Sequence, residues 1–137
     1  MIQVIHGAKG SGKTKQIIDM ANQAIKEASG DVLFVDDDNR YMFDLRHEVR
    51  FVNAGEYGTE SPDGFYGFLC GMLAQNFDIS SIYVDAFLKL VRVPIEETEQ
   101  LFVKLEKMSA KRNVNFYISA NVDPDTAPEF VKKYFAD

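Results

Sequence analysis

The chain has 137 residues, 46% of them hydrophobic and 26% charged, with a formal net charge of −6; this is the size and balance of one globular domain with room for a core, read as a single domain over residues 1–137. The acidity argues against a dedicated nucleic-acid binder, whose phosphate contacts need Lys and Arg, while leaving room for a local basic patch. No stretch approaches the ~18 apolar residues of a membrane span, no secretory pattern follows Met1, and Cys70 has no second cysteine to pair with, so a cytoplasmic protein is expected.

The elements alternate. Residues 2–6 form a short apolar run, read as the first strand. Residues 13–29 read as a helix, with Ile17, Ala21, Ala24, Ile25 and Ala28 on one face and Gly30 as its terminator. Residues 32–35 are a buried strand running into Asp36-Asp37-Asp38, and residues 49–52 a weaker third strand. A loop rich in Gly, Glu, Ser and Pro covers residues 53–63. Pro62 opens a helix carrying Phe65, Phe68, Leu69, Met72, Leu73 and Phe77, with Gly67 and Gly71 expected to weaken its regularity. Residues 81–85 are the next strand. Pro94 then starts a long helix with Glu96 and Glu97 near its positive end and Lys107, Lys111 and Arg112 near its negative end. Thr98, Leu101, Phe102, Leu105 and Met108 are its buried face. Residues 114–119 are the last strand and residues 128–135 a short closing helix.

Strands joined by helices in this order imply right-handed crossovers, hence a three-layer α/β/α fold around a mostly parallel five-stranded sheet. Such sheets bind ligands at the carboxyl ends of their strands. The residues that follow the strands therefore carry the functional reading.

After the first strand stands Gly7-Ala8-Lys9-Gly10-Ser11-Gly12-Lys13-Thr14, a full match to G-x-x-x-x-G-K-[ST]. Its glycines free the backbone to turn successive N–H groups around an anion, and the helix that follows adds the positive end of its dipole. Lys13 is expected on the β- and γ-phosphates of a nucleoside triphosphate and Thr14 in the Mg²⁺ shell. Lys9 and Lys15 are further cations beside the phosphates. An apolar strand ending in an acid is the expected partner, and Ile82-Tyr83-Val84-Asp85 assigns Asp85 to Mg²⁺. Ala86 follows where many ATP-hydrolysing proteins have Glu, which directs attention to Asp36-Asp37-Asp38 for a water-activating carboxylate.

With these residues the chain resembles the core of RecA-like ATPases, the group of RecA recombinases and KaiC-type proteins, over residues 2–121. The resemblance implies the P-loop NTPase fold, ATP and Mg²⁺ as cofactors, Asp38 at the position of the family's catalytic glutamate, and Asn121 as the polar residue sensing the γ-phosphate. Asp38 is shorter than Glu, and sixteen residues follow Asn121, leaving little room for later strands or DNA-binding loops. Small bacterial thymidine kinases are similar in layout but use a cysteine zinc site. Asn121-Val122-Asp123-Pro124 lacks the Lys of a guanine motif, which favours ATP over GTP.

The expectation is a Mg²⁺-dependent ATP-binding protein and weak ATPase, with Lys13 and Asp38 as catalytic residues and a protein partner or second copy completing the site. The alternatives are a nucleotide-switched binding module acting on a protein partner, and a small-molecule kinase. His6 reads as a packed strand residue and His47 as surface; Tyr41, Met42 and Phe43 as core; Lys111, Arg112, Lys132 and Lys133 as solvated helix ends.

Overall fold

The computed structural model describes residues 1–135. Five strands, β1 (Ile2–Gly7), β2 (Asp31–Asp36), β3 (Arg50–Asn53), β4 (Ile79–Val84) and β5 (Asn115–Asn121), form one sheet in the order β1-β5-β4-β2-β3. Every neighbouring pair is parallel. The helices are α1 (Lys13–Ala24), α2 (Pro62–Gln75), α3 (Phe87–Val91), α4 (Glu99–Arg112) and α5 (Glu129–Lys132).

The two-residue period of the strands divides their side chains between two cores. Leu33 and Val35, Ile82 and Val84, and Phe116 and Ile118 pack with Phe65, Leu69, Phe87, Phe102 and Leu105 from α2, α3 and α4. Val32 and Phe34, with Tyr83 and partly buried Tyr117, pack on the opposite face with Ile17, Ile18 and Ala21 of α1. Strand β2 runs apolar without a break from Val32 to Val35, and β4 from Ile82 to Val84, because both faces of the sheet are covered there.

The boundaries differ from the sequence reading in ways with local causes. Helix α1 stops at Ala24 and relaxes through a turn, so Ala28 is exposed and Gly30 terminates nothing. Gly30 instead lies against the Asp78 carbonyl, where a Cβ would fall 2.0 Å from the oxygen. Helix α2 runs unbroken through Gly67 and Gly71, started by Pro62 and by the Ser61 side chain accepting from the Gly64 N–H. Phe77 lies beyond its end, is 82% exposed and sits under the Arg112 guanidinium. Pro94 precedes a single 3-10 turn, Ile95–Glu97, and α4 begins only at Glu99. Helix α3 was not foreseen. Five residues are too short for a periodic signal, and it is bounded by Ala86 (φ 55) and Arg92 (φ 54), both left-handed. Tyr41 packs against the α1-side core, but Phe43, expected inside, is 89% exposed. His47 is exposed, and the His6 ring packs on Phe135 with centroids 4.1 Å apart and the planes tilted by 33°. Among the described residues no helix is long and apolar enough to cross a membrane.

Candidate functional site

Strand β1 hands directly to the glycine-rich loop, which turns on an Ala8 carbonyl accepting from the Ser11 N–H at 3.1 Å. Gly10 (φ 81) and Gly12 (φ 93) hold left-handed conformations, and Gly12 is the residue from which α1 starts. Lys13 is folded back into the loop. Its ammonium donates to the Ala8 carbonyl at 2.8 Å, and the residue is 8% exposed. Burial holds its pKa below the ordinary lysine value, with the Asp85 charge opposing.

The strand period explains what meets the loop. Residues 34, 83 and 117 share the α1 face of the sheet, and the register aligns Phe34 with Tyr83 and Tyr83 with Tyr117. Two residues on, the same face carries Asp36, Asp85 and Ser119, so the apolar row gives way to a polar one at the carboxyl ends of the strands. Asp85, 5% exposed, is fully engaged: Thr14 Oγ1 donates to its Oδ2 at 3.0 Å and Ser119 Oγ to its Oδ1 at 2.7 Å. Its backbone N–H donates to the Val35 carbonyl at 2.9 Å.

Asp36 is 2% exposed. Its Oδ1 accepts from the Asp37 N–H at 2.7 Å, and its Oδ2 has no hydrogen-bond partner. Burial, foremost, and then the neighbouring Asp37 and Asp85 raise its pKa to about 8. Asp38 is in the opposite condition. Arg40 binds it through backbone N–H and guanidinium, both at 2.9 Å, and holds its carboxyl below the ordinary range.

These groups line one groove of about 450 Å³. Lys9, Gly10, Gly12, Lys13 and Thr14 form its loop side, and Asp36, Asp37, Asp38 and Asp85 stand across from them with Ser119 and Asn121. Most of the sequence-assigned residues thus come together. Lys15 does not. It points along the exposed side of α1, paired with Asp19 at 2.8 Å. Sequence reasoning passed over Arg40 and Lys89, which also line the groove, and over the hydroxyl of Ser119 as the second anchor of Asp85. The parity of β5 contains that last signal, because Phe116, Ile118 and Ala120 face one core and leave Ser119 on the other side.

The oxygen donors fit a hard divalent cation. Mg²⁺ takes hydroxyl and carboxylate oxygens; the Thr14 hydroxyl and the Asp85 carboxylate meet here in a 3.0 Å hydrogen bond, and the unpartnered Asp36 oxygen lies in the same wall.

No protein-family model matches the chain, and no curated protein matches it by sequence. Among solved structures, the crystal structure of a KaiC-like protein from the hyperthermophilic archaeon Pyrococcus horikoshii is similar, with a TM-score of 0.67 and 15% sequence identity over 97% of this chain and 68% of that one. The likeness extends over nearly the whole chain, which shares the α/β fold of that protein and has the parallel five-stranded sheet flanked by helices that the order of its elements implies.

Proposed function

We propose that the chain binds a Mg²⁺–nucleoside triphosphate, ATP in preference to GTP, and hydrolyses it slowly. The observation that carries this reading is the convergence, at one end of a parallel sheet, of a complete phosphate loop with a hydrogen-bonded chain from Thr14 through Asp85 to Ser119. The triphosphate lies along the loop, where backbone N–H groups and the start of α1 favour negative charge. Phosphate oxygens replace the Ala8 carbonyl as acceptors for Lys13. Thr14 and Asp85 hold Mg²⁺, which when bound offsets charge on the phosphates. Asn121, at the exposed end of β5, contacts the terminal phosphate.

In hydrolysis a water oxygen bonds to the γ-phosphorus as the bond from phosphorus to the β-bridging oxygen breaks, and ADP leaves with that electron pair. Asp38 is the acceptor for the water's proton. Its low pKa keeps it ionised at neutral pH, whereas Asp36 is largely protonated in the absence of a cation. Arg40, already in the groove, supplies positive charge within the same chain. Catalysis of this kind is positioning and electrostatics, and turnover is slow because Asp38 must first part from Arg40. That ion pair also favours a second reading, in which the nucleotide is held without useful turnover and switches the surface of the β3–α2 connection for a protein partner or a second copy. The lone cysteine fits a cytoplasmic setting.

A thermal-shift panel of ATP, GTP, ADP and a non-hydrolysable ATP analogue, each with Mg²⁺, tests binding. A ligand at 100 times its Kd adds about 2.7 kcal/mol to the native state. ATP should raise Tm most, and Lys13→Ala should remove the rise. Steady-state phosphate release, compared with Lys13→Ala, separates slow hydrolysis from retention. Absence of a shift with every nucleotide would overturn the binding reading.

A further inference from the structure

A second cavity, about 490 Å³, opens at the same end of the sheet, beside β2 and β3. Asp37 and Lys89 line both cavities, so ligands in the two would be near neighbours. The second cavity takes its walls from the turn after β2 (Asp37), the β3–α2 connection (Gly55, Thr59, Glu60) and α3 with its C-cap (Lys89, Arg92).

Lys89 on α3 and Arg92 at its left-handed C-cap both line this cavity. The left-handed turn at Ala86 starts this helix immediately after Asp85, which brings both cations to the carboxyl ends of the strands. Arg92 forms an ion pair with Glu60 at 3.1 Å, and both side chains are mostly exposed, so this pair spans the rim. With Glu60 engaging Arg92, Lys89 and Asp37 are the other charged residues that line the cavity. Thr59, only 4% exposed, adds a buried polar residue. A neutral apolar ligand would strip water from Lys89 and Asp37 without replacing their hydrogen bonds. A purely cationic ligand would meet Lys89 and Arg92. The complement of this wall is a molecule with an anion at one end and a hydrogen-bond donor at the other.

We propose that this cavity is a second ligand site for a small hydroxylated oxyanion, with a phosphate or carboxylate on Lys89 and a hydroxyl on Asp37. Arg92 can exchange Glu60 for the same oxyanion and so draw the rim inward. The site rests on the nucleotide reading only for its neighbour; its own binding does not require nucleotide. Because Asp37 and Lys89 serve both cavities, occupancy of one changes affinity in the other, and the coupling is reciprocal.

Amide NMR of the full chain tests this, with glycerol 3-phosphate, glycerate and glycerol as probes, each added with and without a non-hydrolysable ATP analogue and Mg²⁺. The two oxyanions should give saturable shifts at Gly55, Thr59 and Leu90, and glycerol none. The Lys89→Ala/Arg92→Ala variant should weaken binding at least tenfold while the strand amides keep their positions, and Lys89→Glu should do the same by charge reversal alone. No saturable shift, shifts confined to Gly10 and Gly12, or shifts that survive both variants would overturn the proposal. The analogue alone, read at Gly10 and Gly12, reports separately on the nucleotide site, so failure of one reading is distinguishable from failure of the other.

Discussion

The Thr14 hydroxyl donates to Asp85 Oδ2 at 3.0 Å while Ser119 occupies the other oxygen at 2.7 Å. One carboxylate at the end of β4 thereby joins the first turn of α1 to β5, the strand that separates the phosphate-loop strand from β4. This arrangement fixes, before any ligand arrives, the geometry of the end of the groove where the proposed Mg²⁺ would sit.

Asp85→Asn and Thr14→Val should each remove the Mg²⁺-dependent part of nucleotide binding. Affinity measured with Mg²⁺ should fall about tenfold or more, a loss of at least ~1.4 kcal/mol. Affinity measured in excess chelator should change little. Calorimetric titrations with and without Mg²⁺ make the comparison. Equal losses under both conditions would show that these residues serve the fold rather than the cation.

Ser119→Ala leaves a buried carboxylate oxygen without its donor. Stability should drop by about 1–3 kcal/mol, the usual cost of a stranded buried group, in urea unfolding at neutral pH. Ser119→Thr, which keeps the hydroxyl, should recover part of it.

Asp36 carries the pH dependence. Its folded pKa is near 8, while in the unfolded chain it returns to the ordinary value of 3.8. Between these values the folded state holds the proton more tightly, so the contribution of Asp36 to stability declines as pH rises from about 4 to 8. Asp36→Asn cannot ionise. Its unfolding free energy relative to the parent should therefore increase across that window and level off above it. A parallel pair of curves from pH 4 to 8 would contradict the assignment.

Ala86 sits at φ 55, in a region that costs an L-residue with a side chain ~1–2 kcal/mol. Ala86→Gly relieves that strain but enlarges the unfolded ensemble, so the net gain should be about 1 kcal/mol or less. Ala86→Val should move the unfolding midpoint the other way, because a β-branched side chain fits this conformation worst.

Much of the fold was legible without coordinates. Strands β1, β2, β4 and β5 each carry a predominantly apolar run, the three long helices carry apolar faces, and their alternation requires a parallel sheet. The phosphate loop was legible for a stronger reason. The anion binding proposed for it would reside in backbone N–H groups of consecutive residues, so the local sequence contains nearly the whole device. Asp85 was legible as the acid ending an apolar strand.

What only tertiary structure decided lies between segments distant in sequence. The run Asp36-Asp37-Asp38 reads as three equivalent acids, yet one is buried with an unpartnered oxygen, one stands between two cavities and one is held at the rim by Arg40. Sheet parity, the end of β2 and the position of Arg40 sort them, and none of these is a property of the tripeptide. Lys15 turned away because its place on α1 sets it beside Asp19, while Lys89 arrived because α3 starts from a left-handed residue that no periodic pattern announces. The glycine-rich loop was readable because the backbone groups of its motif are contiguous. The wall facing it was not, because its side chains are brought together by strand order and burial, which follow from packing of the whole chain.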